Sequence, residues 1–257
     1  MHFLKDNVLS IIKKRISIPD KIIFNNLPKH VAVIMDGNRR YGRRKHKDAL
    51  LGHFDGAQKL CKFISWCVEE KIETATVYAF SSENWSRSVK EIDSIMNIFE
   101  KFIDTFSSEA ISKNIRFRFI STEIDKIPDI IKLKSENLEL VTKDCDGFFL
   151  NICLSYGGQD DILCACKKIT DEIKTSKDPE NIIITKEYFR SKLSSCDVSD
   201  PDLLIRTSGE LRISNFLPWQ LAYTEFFFID KCWPEITQKD FQSAIKNYSN
   251  RKRRNGL

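Results

Sequence analysis

Four polar or glycine-bearing segments each follow an apolar run. They are Asp36-Gly37-Asn38 after HVAVIM, Ser81-Ser82-Glu83-Asn84-Trp85 after ETATVYAF, Ser155-Tyr156-Gly157-Gly158 after GFFLNICL, and Arg206-Thr207-Ser208-Gly209-Glu210 after PDLLI. Their side chains share one kind of chemistry. Asp36 and Glu225 offer hard oxygen ligands suited to Mg²⁺, which commonly bridges one or two carboxylates to substrate phosphates. Arg39, Arg40, Arg87, Arg206 and Arg212 can grip phosphate oxygens bidentately, and Ser81, Ser208 and Ser214 add neutral donors. Gly37, Gly157-Gly158 and Gly209 permit close backbone approach, and helix-start N–H groups favour anions. The sum suits one or two diphosphates, at least one carrying a metal. Taken singly, each element also has a structural reading: Asp-Gly-Asn makes a tight turn, a tryptophan packs, and His53 in LGHFDG opens a helix. Neither a G-x-x-x-x-G-K-[ST] loop nor a strand followed by G-x-G-x-x-G is present, so the common nucleotide-binding loops are not supported.

Positioning these groups is the task of alternating elements. HVAVIM, ETATVYAF, IRFRFI, GFFLNICLSY, PDLLIRT and TEFFFID read as strands. Residues 54–72, 91–112 and 129–143, the stretch after Gly158, and TQKDFQSAIKNYSNR read as helices through their 3.6-residue apolar spacing. This alternation predicts an α/β fold: one domain, with a mostly parallel sheet of about six strands and helices on both faces. In such sheets ligands bind beyond the carboxyl ends of the strands, where the four polar segments fall. The domain is expected over residues 28–257, preceded by a helical arm over 1–27.

The net charge of +5 tolerates an anionic partner without demanding nucleic acid. The basic RKRR cluster near the C-terminus is short and has no aromatic-interleaved basic face, which argues against a nucleic-acid module. The eight cysteines form no C-x-x-C pair, several lie in apolar runs, and no secretory signal opens the chain. Reduced thiols in a cytoplasmic protein follow from that pattern. No apolar run reaches the length of a membrane span. Leu4, Val8, Ile11 and Ile12 nevertheless fall at helical spacing beside Lys13, Lys14 and Arg15. Residues 1–20 suit either peripheral contact with an anionic membrane surface or an arm docked on, or frayed from, its own domain.

The segments HVAVIMDGNRRYGRR, TVYAFSSENWSRS, SYGGQDDI and PDLLIRTSGELRISNFLPWQLAYTEFFF resemble the signature blocks of the cis-prenyltransferases. That family includes undecaprenyl and dehydrodolichyl diphosphate synthases. The blocks occur in family order from about residue 28 to the end. The resemblance implies extension of an allylic diphosphate, usually farnesyl diphosphate, by isopentenyl diphosphate units that each form a cis double bond. It implies Asp36 as the catalytic acid-type residue that positions Mg²⁺ on a diphosphate. Gly37, Asn38, Arg39 and Arg40 would cradle the allylic diphosphate, with Tyr41 in place of a frequent tryptophan and His53 as donor or proton relay. Ser81 and Asn84 would lie near the reacting carbons, with Ser82 and Glu83 as further substrate-binding residues and Asn84 implicated in proton removal by orienting a phosphate oxygen or water. Trp85 and Arg87 would order the loop ahead of Glu91. Arg206, Arg212 and Ser214 would hold isopentenyl diphosphate, and Glu225 would be a second metal ligand or a partner of these arginines.

Departures from the family pattern matter as well. Arginine replaces glycine at position 39, which with Tyr41 looks like the eukaryotic, dolichol-type branch and implies a place on the cytosolic face of the endoplasmic reticulum. Ala49 stands where a phosphate-binding arginine is frequent, so Arg43, Arg44 or Lys47 would serve instead. Leu211 occupies the place of a metal-binding histidine found in some members. The tail Arg254-Asn255-Gly256 matches the Arg-x-Gly that reaches a neighbouring subunit in single-component members, implying a homodimer. An apolar product tunnel is expected, with Phe63, Ile64, Ala79, Ile95, Met96, Phe99, Ile103 and Leu150 as its candidate lining. The trans-type synthases need two D-D-x-x-D clusters, and Asp160-Asp161 does not fit that pattern. Accessory, non-catalytic relatives lack the Asp of the first block, which is present here as Asp36.

Overall fold

The computed structural model describes residues 26–251. The proposed membrane segment 1–20, nearly all of the N-terminal arm, and Arg254 and Gly256 of the tail lie outside the described residues. The six apolar runs become β1 (His30–Ile34), β2 (Thr74–Ser81), β3 (Ile115–Ile120), β4 (Phe148–Tyr156), β5 (Leu203–Thr207) and β6 (Glu225–Ile229). They lie in the order β3-β4-β2-β1-β5-β6, and every neighbouring pair is parallel. Parallel neighbours need long crossovers. These contain α1 (Asn38–His46), α2 (Ala49–Glu69), α3 (Val89–Ser107), α4 (Asp129–Val141), α5 (Gly158–Thr175) and α6 (Lys186–Arg190), while α7 (Gln238–Asn250) follows β6. The 208–224 segment joins β5 to β6 without an α-helix.

Period-two alternation sends strand side chains to two cores. Val31, Val33, Ala75, Val77, Leu150, Ile152, Leu203 and Ile205 join Leu60, Phe63 and Ile64 of α2, Met96, Phe99 and Ile103 of α3, and Phe241 of α7. On the other face, Ala32, Ile34, Cys153 and Leu204 pack under Phe216, Leu217 and Leu221. The central strands are therefore covered on both faces, which is why β1, β4 and β5 read as continuous apolar runs, while edge strand β3 alternates.

The helices differ from expectation mainly around the site. Asp48 caps α2 by accepting from the Leu50 amide at 2.8 Å, so this helix begins at Ala49 and carries His53. No apolar stripe marks α1 as a helix, and its one buried residue is Gly42. What shapes α1 is contact with α2. A Cβ on Gly52 would lie 1.9 Å from the Asn38 carbonyl oxygen, so only glycine lets the two backbones approach this closely.

Six of the eight candidate tunnel residues are closed core, while Ala79 and Ile95 are only partly buried. A narrow apolar crevice of about 30 Å³ lies between α2 and α3, lined by residues such as Phe54, Ala57, Cys61, Ile98 and Phe102.

Beneath the sheet's amino edge, His30 is buried in a relay of neutral groups. Asn151 Nδ2 donates to Thr76 Oγ1 at 3.0 Å, His30 Nε2 lies 2.7 Å from that hydroxyl, and His30 Nδ1 donates to the Ser199 carbonyl at 2.8 Å. Burial brings the His30 pKa from 6.5 down to about 4, against the hydrogen bond to Ser199. The folded state therefore resists a proton that the unfolded chain accepts, and the corresponding stability is complete above pH 6.5 and lost as pH falls toward 4. The difference, 6.5 − 4 = 2.5 pKa units, corresponds to about 3 kcal/mol. Urea unfolding at pH 7 and pH 4 should show this loss in excess of that of a His30→Gln variant. Equal losses in the two proteins would remove His30 as the cause.

Candidate active site

Asp36 leaves the end of β1 with its backbone pinned. Its carbonyl accepts from Thr207 Oγ1 at 2.8 Å and from the Trp233 amide at 2.9 Å. Gly37 then turns the chain into α1 with φ +95°, and a Cβ there would lie 2.6 Å from Ser208 Oγ and 2.8 Å from Cys232 Cβ. The Asp36 carboxylate accepts from the Gly37 amide at 2.6 Å and, through its other oxygen, from Arg206 at 2.9 Å. Arg206 is 3% exposed. Its second terminal nitrogen donates to the Arg212 carbonyl at 2.5 Å and to Ser214 Oγ at 2.7 Å, while its Nε is buried without a partner. Ser214 and Asn215, at φ +47° and +60°, turn the loop back over the guanidinium.

The end of β2 supplies a second wall. Ser81 caps a 3₁₀ turn over Ser82–Ser86 by a reciprocal box: its hydroxyl accepts from the Asn84 amide, and Asn84 Oδ1 accepts from its own amide. Ser82 donates to Asp160 at 3.2 Å, Asn215 donates to Glu83 at 2.9 Å, and the Trp85 indole donates to Ser155 at 2.8 Å. Burial opposes ionisation of Glu83, yet hydrogen bonds led by that from Asn215 outweigh it and hold the carboxyl below its ordinary range.

A third wall converges on Glu91, at the start of α3. One buried oxygen of its carboxylate meets Arg87 at 3.0 Å, His53 at 3.3 Å and Arg39 Nε at 3.4 Å. Burial first, and then the neighbouring Arg87 charge, lower the His53 pKa, against the pull of Glu91. The neutral imidazole is thereby favoured.

These walls enclose two adjoining clefts. One, of about 510 Å³, is lined by Asp36, Asn38, His53, Ser81, Glu83, Asn84, Arg87, Arg206 and Ser214, together with Ala79 and Ile95. The other, of about 350 Å³, is lined by Asp36, Gly37, Asn38, Arg39, Arg40, His53 and Arg87, with Arg43. A larger groove of about 830 Å³ lies against β3. It is lined by mixed charges such as Arg116, Arg118, Glu136 and Glu139, and none of the four polar segments reaches it. The two clefts at the strand ends hold the chemistry.

Several expected residues stand apart. Ser82 is engaged with Asp160, and Trp85 packs edge-on against Phe80 at 4.9 Å. The Tyr41 hydroxyl accepts from Lys45. Arg212 turns its exposed guanidinium to Glu210 at 2.5 Å and offers only its carbonyl to Arg206. Glu225 requires a correction. It begins β6 opposite Leu203, at the amino edge of the sheet, and is paired with Arg251, whereas Asp36 lies beyond the carboxyl edge. Glu225 and Asp36 of one chain cannot share a metal ion. Of the three basic candidates offered in place of an arginine at position 49, Arg43 lines the cleft, Arg44 pairs with Glu235 at 2.5 Å, and Lys47 ends α1. Glu91, Glu210 and Asn215 were missed. The spacing of Glu91 four residues after Arg87 on a helix start was the available signal.

Among the described residues, no three His, Cys, Asp or Glu side chains gather to hold a metal ion. A lone hard carboxylate facing an arginine-lined cleft still fits Mg²⁺ that arrives with a diphosphate, since this ion retains water and phosphate oxygens in its shell.

Comparison with known proteins accords with this geometry. The family model described as "Putative undecaprenyl diphosphate synthase" matches residues 34–256. An isoprenyl transferase of Aquifex aeolicus is 42% identical over 230 residues, covering 90% of this chain and 96% of that protein. A tritrans,polycis-undecaprenyl-diphosphate synthase (geranylgeranyl-diphosphate specific) of Thermococcus kodakarensis is 40% identical over 240 residues, covering 92% and 90%. Among solved structures, lavandulyl diphosphate synthase from Lavandula x intermedia, in complex with dimethylallyl diphosphate, superposes with a TM-score of 0.84. It shares 30% identity over 90% of this chain and 99% of that one. The chain belongs to the undecaprenyl diphosphate synthase family. It is a cis-prenyltransferase, with the activity of a cis-prenyl diphosphate synthase.

The Asp36–Arg206 pair carries a consequence for mutation. Removing the carboxylate leaves a guanidinium that is 3% exposed without its counter-charge. Asp36→Ala should therefore abolish most turnover and also destabilise the chain by about 3 kcal/mol. Urea unfolding is the check, and an unchanged midpoint would show that Arg206 needs no anion from the protein.

Proposed function

We propose that the chain extends farnesyl diphosphate with isopentenyl diphosphate to a long polyprenyl diphosphate of the kind used for dolichol-type carrier lipids. The observation that carries the placement of the chemistry is the convergence of Asp36, Arg206, Asn84 and His53 on one cleft, beside a second lined by Arg39, Arg40, Arg43 and Arg87. The allylic diphosphate occupies the arginine-lined cleft, against Gly37, Asn38 and His53. Isopentenyl diphosphate lies toward Arg206 and Ser214, where the unpartnered Arg206 Nε is a donor left for a phosphate oxygen. Arg212 must turn from Glu210 to join it.

In the reaction the allylic C–O bond breaks, a C–C bond forms to the isopentenyl unit, and a C2 proton leaves. Asn84 orients the phosphate oxygen or water that takes that proton, because an amide is too weak a base to take it itself. Asp36 would hold Mg²⁺ together with a diphosphate, and the ion supplies charge neutralisation for the departing group. Ser81 fixes Asn84 through their reciprocal hydrogen bonds.

Purified chain, farnesyl, geranylgeranyl or dimethylallyl diphosphate, radiolabelled isopentenyl diphosphate and Mg²⁺ form the test. Label should enter long products from farnesyl diphosphate most efficiently, with no added protein, and EDTA should stop incorporation. Preference for another primer corrects the substrate; activity only with a second polypeptide overturns the homodimer implied by Arg254 and Gly256. The cytosolic-membrane reading rests on residues 1–20. The full chain should sediment with anionic vesicles, and a chain starting at residue 21 should not; equal sedimentation refutes that role.

A further inference from the structure

Ser155, near the end of β4, adopts a left-handed backbone with φ +52° while its side chain is fully buried. Non-glycine residues avoid this region, and a buried example persists only where its surroundings over-determine it. Here they do. The Ser155 carbonyl accepts from the Thr122 amide at 3.1 Å, the Glu123 amide at 3.3 Å, Ser121 Oγ at 3.2 Å and Thr122 Oγ1 at 3.3 Å. Its hydroxyl donates to the Glu123 carbonyl at 3.3 Å and accepts from the Trp85 indole at 2.8 Å.

The last of these contacts reaches the reactive segment. Trp85 belongs to the same turn as Asn84. That turn is held within itself by the reciprocal Ser81–Asn84 bonds, by the Arg87 amide on the Asn84 carbonyl at 3.1 Å and by Ser86 on the Glu83 carbonyl at 2.7 Å. From outside it is held by Ser82 on Asp160 and Asn215 on Glu83. β2 enters the turn through two register shifts against β4, at Tyr78/Phe80 and Phe80/Ser81, and regular pairing resumes only at Ser81 opposite Tyr156, next to Ser155. The indole rests edge-on against Phe80, a contact that leaves sliding free. On Trp85 the directional restraint is the 2.8 Å bond to the Ser155 hydroxyl, which the left-handed backbone aims.

We infer that Ser155 is a positioning residue for the condensation: through the Trp85 indole it fixes the Ser82–Ser86 turn and so places the Asn84 amide. This rests on the role proposed for Asn84. Steady-state kinetics of Ser155→Gly, Ser155→Ala, Trp85→Phe and the Ser155→Gly/Trp85→Phe double variant test it, with Asn84→Ala alongside. Glycine relieves the backbone and removes the hydroxyl; phenylalanine removes the same hydrogen bond from the other side while keeping a ring on Phe80.

Each single variant should lower kcat about tenfold, with KM for both diphosphates changed by no more than about twofold, since displacement of a reacting group is felt mainly in turnover. The double variant should be no slower than either parent, because both remove one interaction. Full kcat in Trp85→Phe overturns the inference even if the Ser155 variants fold poorly. So do multiplied losses in the double variant, or a raised KM with unchanged kcat. Asn84→Ala with undiminished kcat overturns instead the role of Asn84 on which the inference stands.

Discussion

A guanidinium with almost no contact with water is the constraint around which the site is arranged. Arg206, one residue before the end of β5, pairs with Ile34 of β1, so the sheet itself decides where this charge lies. Burying it is costly unless each donor is met. Asp36, the Arg212 carbonyl and Ser214 meet three of those demands, and two of these partners come from the loop after β5, bent by left-handed Ser214 and Asn215. The same loop then reaches across to Glu83 and to the start of α5 through Asn215. The strand-end segments are thus tied together through one charge, and Nε remains as its unspent donor.

That interdependence explains what could be read in advance. The strands were legible for two reasons. Central strands buried on both faces need unbroken apolar runs, as in those ending at Tyr156 and Thr207, which are β4 and β5. IRFRFI instead alternates with period two and is the edge strand β3 residue for residue. α1 was not legible, because Asn38–His46 has no apolar stripe and is held by backbone-to-backbone approach at Gly52. Asp36 and Arg206 were candidates by residue type at strand ends, whereas Asn84 was one only through the family resemblance. Glu225 misled for a related reason. A carboxylate next to an aromatic strand looks like the others, but it precedes its strand instead of following it, and only the direction of β6 reveals the difference. Glu91 escaped because its importance is its three partners, which come from α1, α2 and the turn before α3.

Glu91 also bears on the displaced charge of α1. With alanine at position 49, the cleft draws its positive charge from Arg39, Arg40 and Arg43 on α1 and from Arg87. So many cations around about 350 Å³ repel one another. A single buried carboxylate shared by Arg39, Arg87 and His53 offsets part of that repulsion from behind the wall, and a depressed His53 pKa removes one more charge. The site is left short of negative charge on the cleft side, the condition that favours a diphosphate.

The apolar side of the site imposes a different requirement. A growing chain must leave water, and each added unit of five carbons contributes at most about 3–4 kcal/mol on transfer to an apolar surface. Ile34, Met35, Ala79 and Ile95 present such surface at the cleft, and the crevice between α2 and α3 holds about 30 Å³. Phe63, Met96, Phe99 and Ile103 fill the space behind it. Interiors packed in this way do not yield continuously, so on the proposed function a long product would have to separate α2 from α3, exchanging contacts among these side chains for contacts with itself. Because both sets of contacts are apolar, the exchange is nearly balanced for each unit. On the proposed function, the transfer of new carbon from water would therefore be what drives the separation.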